Sequence, residues 1–228
     1  MSPSPEVPSA PTMRTTVHRE DERASYDVDV IRSIVDEALI CHLGFTDAGG
    51  FPVVIPTIHA RVGDVLYVHG SAAGRTLRRL SADGVEVCCT ITLLDGLVVA
   101  RSGFWSSMNY RSVLVFGVPR LVIDPVERTD ALDALVDHVL PGRSAEMRAP
   151  SDLELRATKV VALPLDESSA KVRTGDPDDD PGDLDGPAWA GIIPLRMIAG
   201  EPIAAANLAP GIAPTDAVRR TVARYPTG

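Results

Sequence analysis

The sequence predicts an α+β fold, an antiparallel β-barrel with peripheral helices. Three observations carry that reading. At least six short strand-like runs lie along the chain, separated by turn residues. Consecutive runs look like hairpins: "ICHLGFT" and "FPVVIPTIHARV" flank the turn "DAGG", and "GDVLYVHG" opens on a Gly-Asp turn. Helical periodicity appears in only two or three places. Hairpins with few helices favour an antiparallel barrel over a parallel sheet. No internal repeat is present.

The elements follow in order. Residues 27–40, "DVDVIRSIVDEALI", carry apolar side chains at helical spacing, with Asp27 as N-cap, and run into the first strand. The second strand region spans 51–62. Its Pro56 donates no ladder hydrogen bond, which implies an edge position or a bulge. "AAGRTLRRLSADG" reads as a short helix ending near Gly84. "VEVCCTITLLDGLVVARSGF" reads as two strands joined at Asp95-Gly96, a type I′ hairpin signal. "NYRSVLVFGVPRLVID" is a strand pair bent at Gly117-Val118-Pro119, and "VERTDALDALVDHVLPG" is a helix. "LELRATKVVALPLDESSAKVRTG" offers one more strand and a polar turn. "DPDDDPGDLDGP", with six Asp among twelve residues, is a loop by composition.

Length and composition bound the function. A chain of 228 residues with 45% hydrophobic content supports one domain with a real core. Its net charge of −9, with no basic run, disfavours nucleic acid and anionic membrane as partners. No apolar stretch approaches the roughly 20 residues of a membrane span. The Pro- and Ser-rich start has no apolar core of a secretory signal and reads as a disordered lead-in over 1–25. A domain over 26–205 and a tail over 206–228 complete the division. Cys41, Cys88 and Cys89 form no C-x-x-C, and adjacent Cys88 and Cys89 point to opposite faces of a strand. They read as small hydrophobes in a reducing cytoplasm, with a redox or metal role as the alternative.

Two stretches carry chemistry. "HGSAAGRT", His69 to Thr76, is one residue short of a nucleoside-triphosphate loop and has Arg for Lys. It still suits an anion: Ser71 is placed to cap the helix that follows, and Arg75 sits in its first turn. Arg78 and Arg79 follow close behind. Cations at a helix N-terminus oppose its dipole unless an anion is bound, which favours a phosphate over a merely solvated face. "SMNYRSVLVFG" enters a strand with Ser107, Asn109, Tyr110, Arg111 and Ser112 clustered, which suits a ligand or a subunit interface better than a core. His59 and His69, ten residues apart on adjacent strands, make a thin metal site, and no metal is expected.

Together "ALICHLGFTDAGGFPVVIPTIHARVGDVLYVHGSAAGRTLRRL", "MNYRSVLVFG" and "AWAGIIPL" resemble the pyridoxamine 5′-phosphate oxidase-like family, the FMN-binding split barrels. The resemblance covers roughly residues 26–205 and is nearest the nitroimidazole reductase-like branch. It implies that an isoalloxazine lies along Val54, Ile55, Pro56, Thr57 and Ile58. It places the phosphate at Ser71, Arg75 and Thr76, approached past His69 and Gly70. Asn109, Tyr110, Arg111 and Ser112 are further cofactor contacts. The site lies between the subunits of a homodimer, and Trp189 of the partner covers the flavin.

This chain lacks the C-terminal Arg- and Trp-containing motif of the oxidases proper, which argues against pyridoxamine phosphate as substrate. Trp105 stands in "SGFWSSMNY" and is a candidate for the substrate pocket. The expected activity is FMN-dependent oxidation or reduction of a small aromatic or conjugated molecule, with FAD or a deazaflavin as alternative cofactors. The competing readings are a haem-binding split barrel with a ligand such as His69 or His59, and a flavin-binding protein without catalysis.

Overall fold

A computed structural model describes residues 11–82 and 84–226. In chain order the elements are β1 (Ala24–Ser25), α1 (Val28–Glu37), β2 (Ile40–Thr46), β3 (Pro52–Ile58), β4 (Ala60–Val62) and β5 (Val65–Ser71). They continue with α2 (Arg75–Leu80), β6 (Val87–Val99), β7 (Ser107–Gly117), β8 (Arg120–Leu121) and α3 (Pro125–Val139). The last are α4 (Asp152–Ala157), β9 (Thr158–Pro164), β10 (Ser168–Arg173), β11 (Gly191–Pro194) and α5 (Asp216–Arg224). The strands make two antiparallel sheets. The larger has the order β1-β10-β7-β6-β2-β3, with β11 added to β6, and the smaller is β4-β5-β9-β8. The α+β architecture expected from the hairpin pattern is therefore present.

The main core lies on one face of the larger sheet. Ile31, Ile34 and Val35 of α1 meet Cys41, Leu43, Cys89, Ile91, Val113 and Val115 there. α1 starts where the sequence places it: the Asp27 carboxylate accepts from the backbone N–H groups of Asp29 and Val30. A second cluster, Tyr67, Val122, Ala131, Val160 and Ala162, packs the smaller sheet against α3. Cys89 is buried and Cys88 half-buried, as adjacent strand residues on opposite faces must be.

Several expectations are corrected. The Asp95-Gly96 hairpin does not form. β6 runs unbroken from Val87 to Val99 and pairs with β7 on both sides of a bulge at Asp95. Gly96 serves close packing instead, since a Cβ there would meet Ile193 O of β11 at 3.1 Å. The single strand over 51–62 divides at His59: β3 pairs with β2 in the larger sheet and β4 with β5 in the smaller. β3 is the sheet edge that Pro56 requires. Residues 152–157 are helical, because Ser151 and Glu154 close a capping box.

The terminal segments are also held. Residues 1–10 of the expected lead-in lie outside the described residues. Thr12 donates to Glu167 at 2.6 Å, Arg14 pairs with Glu86 and Glu167, and β1 joins β10. In the tail, Arg224 donates to the backbone oxygens of Asp36, Glu37 and His138. These anchors are polar and isolated, so they leave no apolar period to read.

Candidate functional site

β3 sets one side of the site. Val53 and Ile55 turn inward and pack on the core, while Val54 and Pro56 are exposed on the outer face. Sheet register carries that face across three further strands. Pro56 lies opposite His42, His42 opposite Thr90, and Thr90 opposite Leu114. A second row runs Val54, Gly44, Cys88, Phe116. Paired residues on one face stand side by side, so these rows form a continuous shallow surface. Thr57 is half-buried and its hydroxyl donates to Ile58 O at 3.3 Å. His42 is exposed in the middle of this face. Sequence reasoning missed it, because only the register shows that it borders Pro56.

On the same face a hollow of about 430 Å³ is lined by Thr90, Thr92, Tyr110, Ser112 and Leu114, under the segment 14–17. Tyr110 and Ser112 thus stand where a ligand on this face would extend. Asn109 and Arg111 do not. Asn109 is buried, donates to Gly175 O at 3.1 Å and accepts from Arg173 at 2.7 Å. Arg111 is spent on Asp95 (3.0 and 2.7 Å) and on both carboxylate oxygens of Glu37. These pairs hold the Arg111 guanidinium more basic than usual and the Glu37 carboxyl below its usual range.

The turn from β5 leads into α2, which is tied to the end of β2, where Thr46 pairs with Pro52 of β3. Ser71 does not cap the helix. Gly74 is the N-cap, and the Ser71 hydroxyl accepts from Ala73 N at 3.3 Å. Gly70 lets α2 pack closely on β5, since a Cβ there would lie 2.6 Å from the tip of the Leu77 side chain. Arg79 donates to Thr46 O at 2.8 Å and ties α2 to the end of β2. Arg75 and Arg78 are exposed and, among the described residues, pair with no carboxylate. Thr76 follows, half-buried. Among the described residues the loop therefore offers exposed guanidinium groups with no carboxylate partner.

His69 opens a second site. It follows Val68, which faces the main core, so its own side chain emerges on the opposite side of β5. There it lines a cavity of about 1120 Å³ between α3 and the segment 140–158. Leu132, Val136 and Met147 make much of the wall, and Ile58 joins it from β3. Ile58 shares the strand face of Val54 and Pro56, so the cavity begins where the outer face ends. The Nδ1 of His69 is buried with no hydrogen-bond partner. Burial lowers the imidazole pKa, so the ring is neutral at pH 7 and carries a free lone pair.

His59 does not join His69. It is buried, Nε2 bonds Val35 O at 2.9 Å, and its ring sits 4.9 Å from that of His138. Among the described residues no cluster of three metal-ligating side chains exists. Trp105 lines neither cavity; it stacks edge-on with exposed Phe104 at 5.0 Å in the loop between β6 and β7. Trp189 is largely exposed and rests against Gly191.

Two antiparallel sheets with a few helices define the split-barrel class of the fold. The chain belongs to the pyridoxamine 5′-phosphate oxidase family, whose model matches residues 27–172. Among solved structures it is similar to a flavocytochrome from Azotobacter vinelandii, at 36% identity over 97% of this chain and 100% of that one, with a TM-score of 0.86. It is also similar to an FAD and haem binding protein from Mycobacterium smegmatis: 38% identity, 87% and 97% coverage, TM-score 0.83. A putative 5-nitroimidazole antibiotic resistance protein from Bacteroides thetaiotaomicron is 29% identical over 65% of this chain and 86% of that one, with a TM-score of 0.56. No curated protein matches the chain.

Proposed function

We propose that the chain is an oxidoreductase that holds a flavin on the outer face of β3 and a haem in the cavity at His69. The observation that carries this reading is the apolar cavity with a neutral, unpartnered imidazole in its wall, opening where the flavin face ends at Ile58. A cavity of about 1120 Å³ lies just above the ~300–1,000 Å³ usual for ligand sites, large enough for a tetrapyrrole. The similar flavocytochrome and the similar FAD and haem binding protein support the pairing.

When bound, the flavin supplies hydride or one-electron chemistry and the haem iron one-electron chemistry. The chain's own residues bind and shield. His69 would offer iron its other ring nitrogen, since Nδ1 is buried, and Leu132, Val136 and Met147 would keep water from the group. Arg75 meets the flavin phosphate with a charge-assisted hydrogen bond, while Val54 and Pro56 give the isoalloxazine an apolar bed. FMN and FAD both suit this face; the hollow at Tyr110 and Ser112 gives an FAD the space its nucleotide half needs, so FAD is the preferred flavin. The three free cysteines suit a reducing cytoplasm.

The test is the spectrum and cofactor mass of the purified chain and of His69→Ala. The expected result is flavin plus a haem Soret band in the native chain, and flavin alone in the variant. A native chain that takes up flavin but shows no Soret band when given haem sinks the haem half of the reading.

A further inference from the structure

We propose that the His69 cavity selects a planar ligand bearing carboxylates, and that Arg143 is the residue that reads them. The proposal rests on the haem reading of that cavity. Four charged side chains line it: Asp133 on α3, Arg143 and Arg148 on the segment after α3, and Glu154 on α4. Arg148 is spent and mostly exposed. Both of its terminal nitrogens bind Glu154, at 2.8 and 2.7 Å, and one also reaches Ala149 O.

Arg143 differs. Only its Nη1 is engaged, by Glu146 at 3.1 Å and Thr215 at 3.5 Å. Among the described residues Nε and Nη2 have no partner. Those two donors share one edge of the guanidinium, the edge that grips a carboxylate through two parallel hydrogen bonds. The group is about one-third exposed, so such a bond forms in partly dry surroundings. It is also preset. Glu146 accepts from Ala217 N at 2.9 Å, which fixes the far edge of Arg143 to the start of α5. Asp133, on the α3 wall of the same cavity, carries the opposite sign, while Glu154 is already paired with Arg148. It turns the acidic edge of a ligand away from α3 and toward Arg143. A neutral macrocycle gains nothing from this polarity, whereas a porphyrin with free propionates does.

The experiment titrates the full chain, stripped of haem, with haemin and with haemin dimethyl ester, following the Soret band. The expected result is at least tenfold tighter binding of haemin. Arg143→Gln brings haemin down to the level of the ester and leaves ester affinity unchanged, which also shows that the cavity is intact. His69→Ala alters the spectrum of both complexes. Equal affinity of the native chain for both ligands, with a His69-dependent spectrum, overturns the role of Arg143 and leaves the haem reading standing. No Soret change with either ligand overturns both.

Discussion

Arg75 and Arg120 separate a proposed cofactor contact from a structural ion pair. Arg75 is exposed at the start of α2 with no acidic partner among the described residues, so its charge is available to a phosphate. Arg120 binds Glu127, which also accepts from the Tyr67 hydroxyl at 2.8 Å. Arg75→Ala is expected to weaken flavin binding by about 1.5–3 kcal/mol, the worth of a hydrogen bond to a charged group. Arg120→Ala leaves flavin affinity unchanged. Fluorescence titration with FMN and FAD reads both, and equal losses would remove the phosphate site from this loop. His42 belongs to the same scale. It stands between Pro56 and Thr90 on the face where we propose the flavin binds, and no spacing in the sequence marks it.

At the level of elements, β7 shows how a polar strand entrance serves the fold. Asn109 satisfies Arg173, which is only 5% exposed. Asn109→Ala leaves that buried guanidinium short of an acceptor and is expected to cost about 1–3 kcal/mol. The melting temperature falls while the flavin-to-protein ratio of folded material holds; a lower ratio at unchanged stability would return Asn109 to the cofactor. The Glu37–Arg111–Asp95 cluster links α1 to the bulge of β6. The Glu37 carboxyl has a lowered pKa when folded, chiefly through the Arg111 hydrogen bonds. The folded state therefore binds fewer protons than the unfolded one. The stability this gives is present above the usual carboxylate range and is lost as pH falls through the lowered value. Glu37→Gln is expected to lower stability near pH 7 and to flatten its decline on the acid side. Parallel acid-unfolding curves for the two proteins would refute this.

Across the whole molecule, apolar side chains remain exposed around the β6–β7 end. Leu94, Leu97, Phe104, Trp105, Met108, Trp189 and Ile193 are all at least one-third exposed. Spread over β6, its loop, β7 and β11, they fit a second copy of this chain better than water. Light scattering at micromolar concentration is expected to give a dimer, and Trp105→Ser with Phe104→Ser to shift it toward monomer. A native monomer that retains flavin would exclude a shared site. On this account Trp105 reaches a substrate only at the subunit boundary.

What the sequence determined by itself is what local chemistry encodes. Hairpin turns and alternating strands announce an antiparallel fold, and Asp27 announces the start of α1. Register and partnership were decided only by tertiary structure. Asp95-Gly96 has the residues of a tight turn, yet continuous pairing with β7 makes it a bulge and Arg111 draws on the Asp95 carboxylate. Asn109 and Arg111 look like ligand contacts because their partners, Arg173 and Glu37, lie 64 and 74 residues away. The His69 cavity is likewise invisible in one dimension. Its walls come from β3, β5, α3 and the segment after it, and only their packing leaves an imidazole in an apolar space with no hydrogen bond to make.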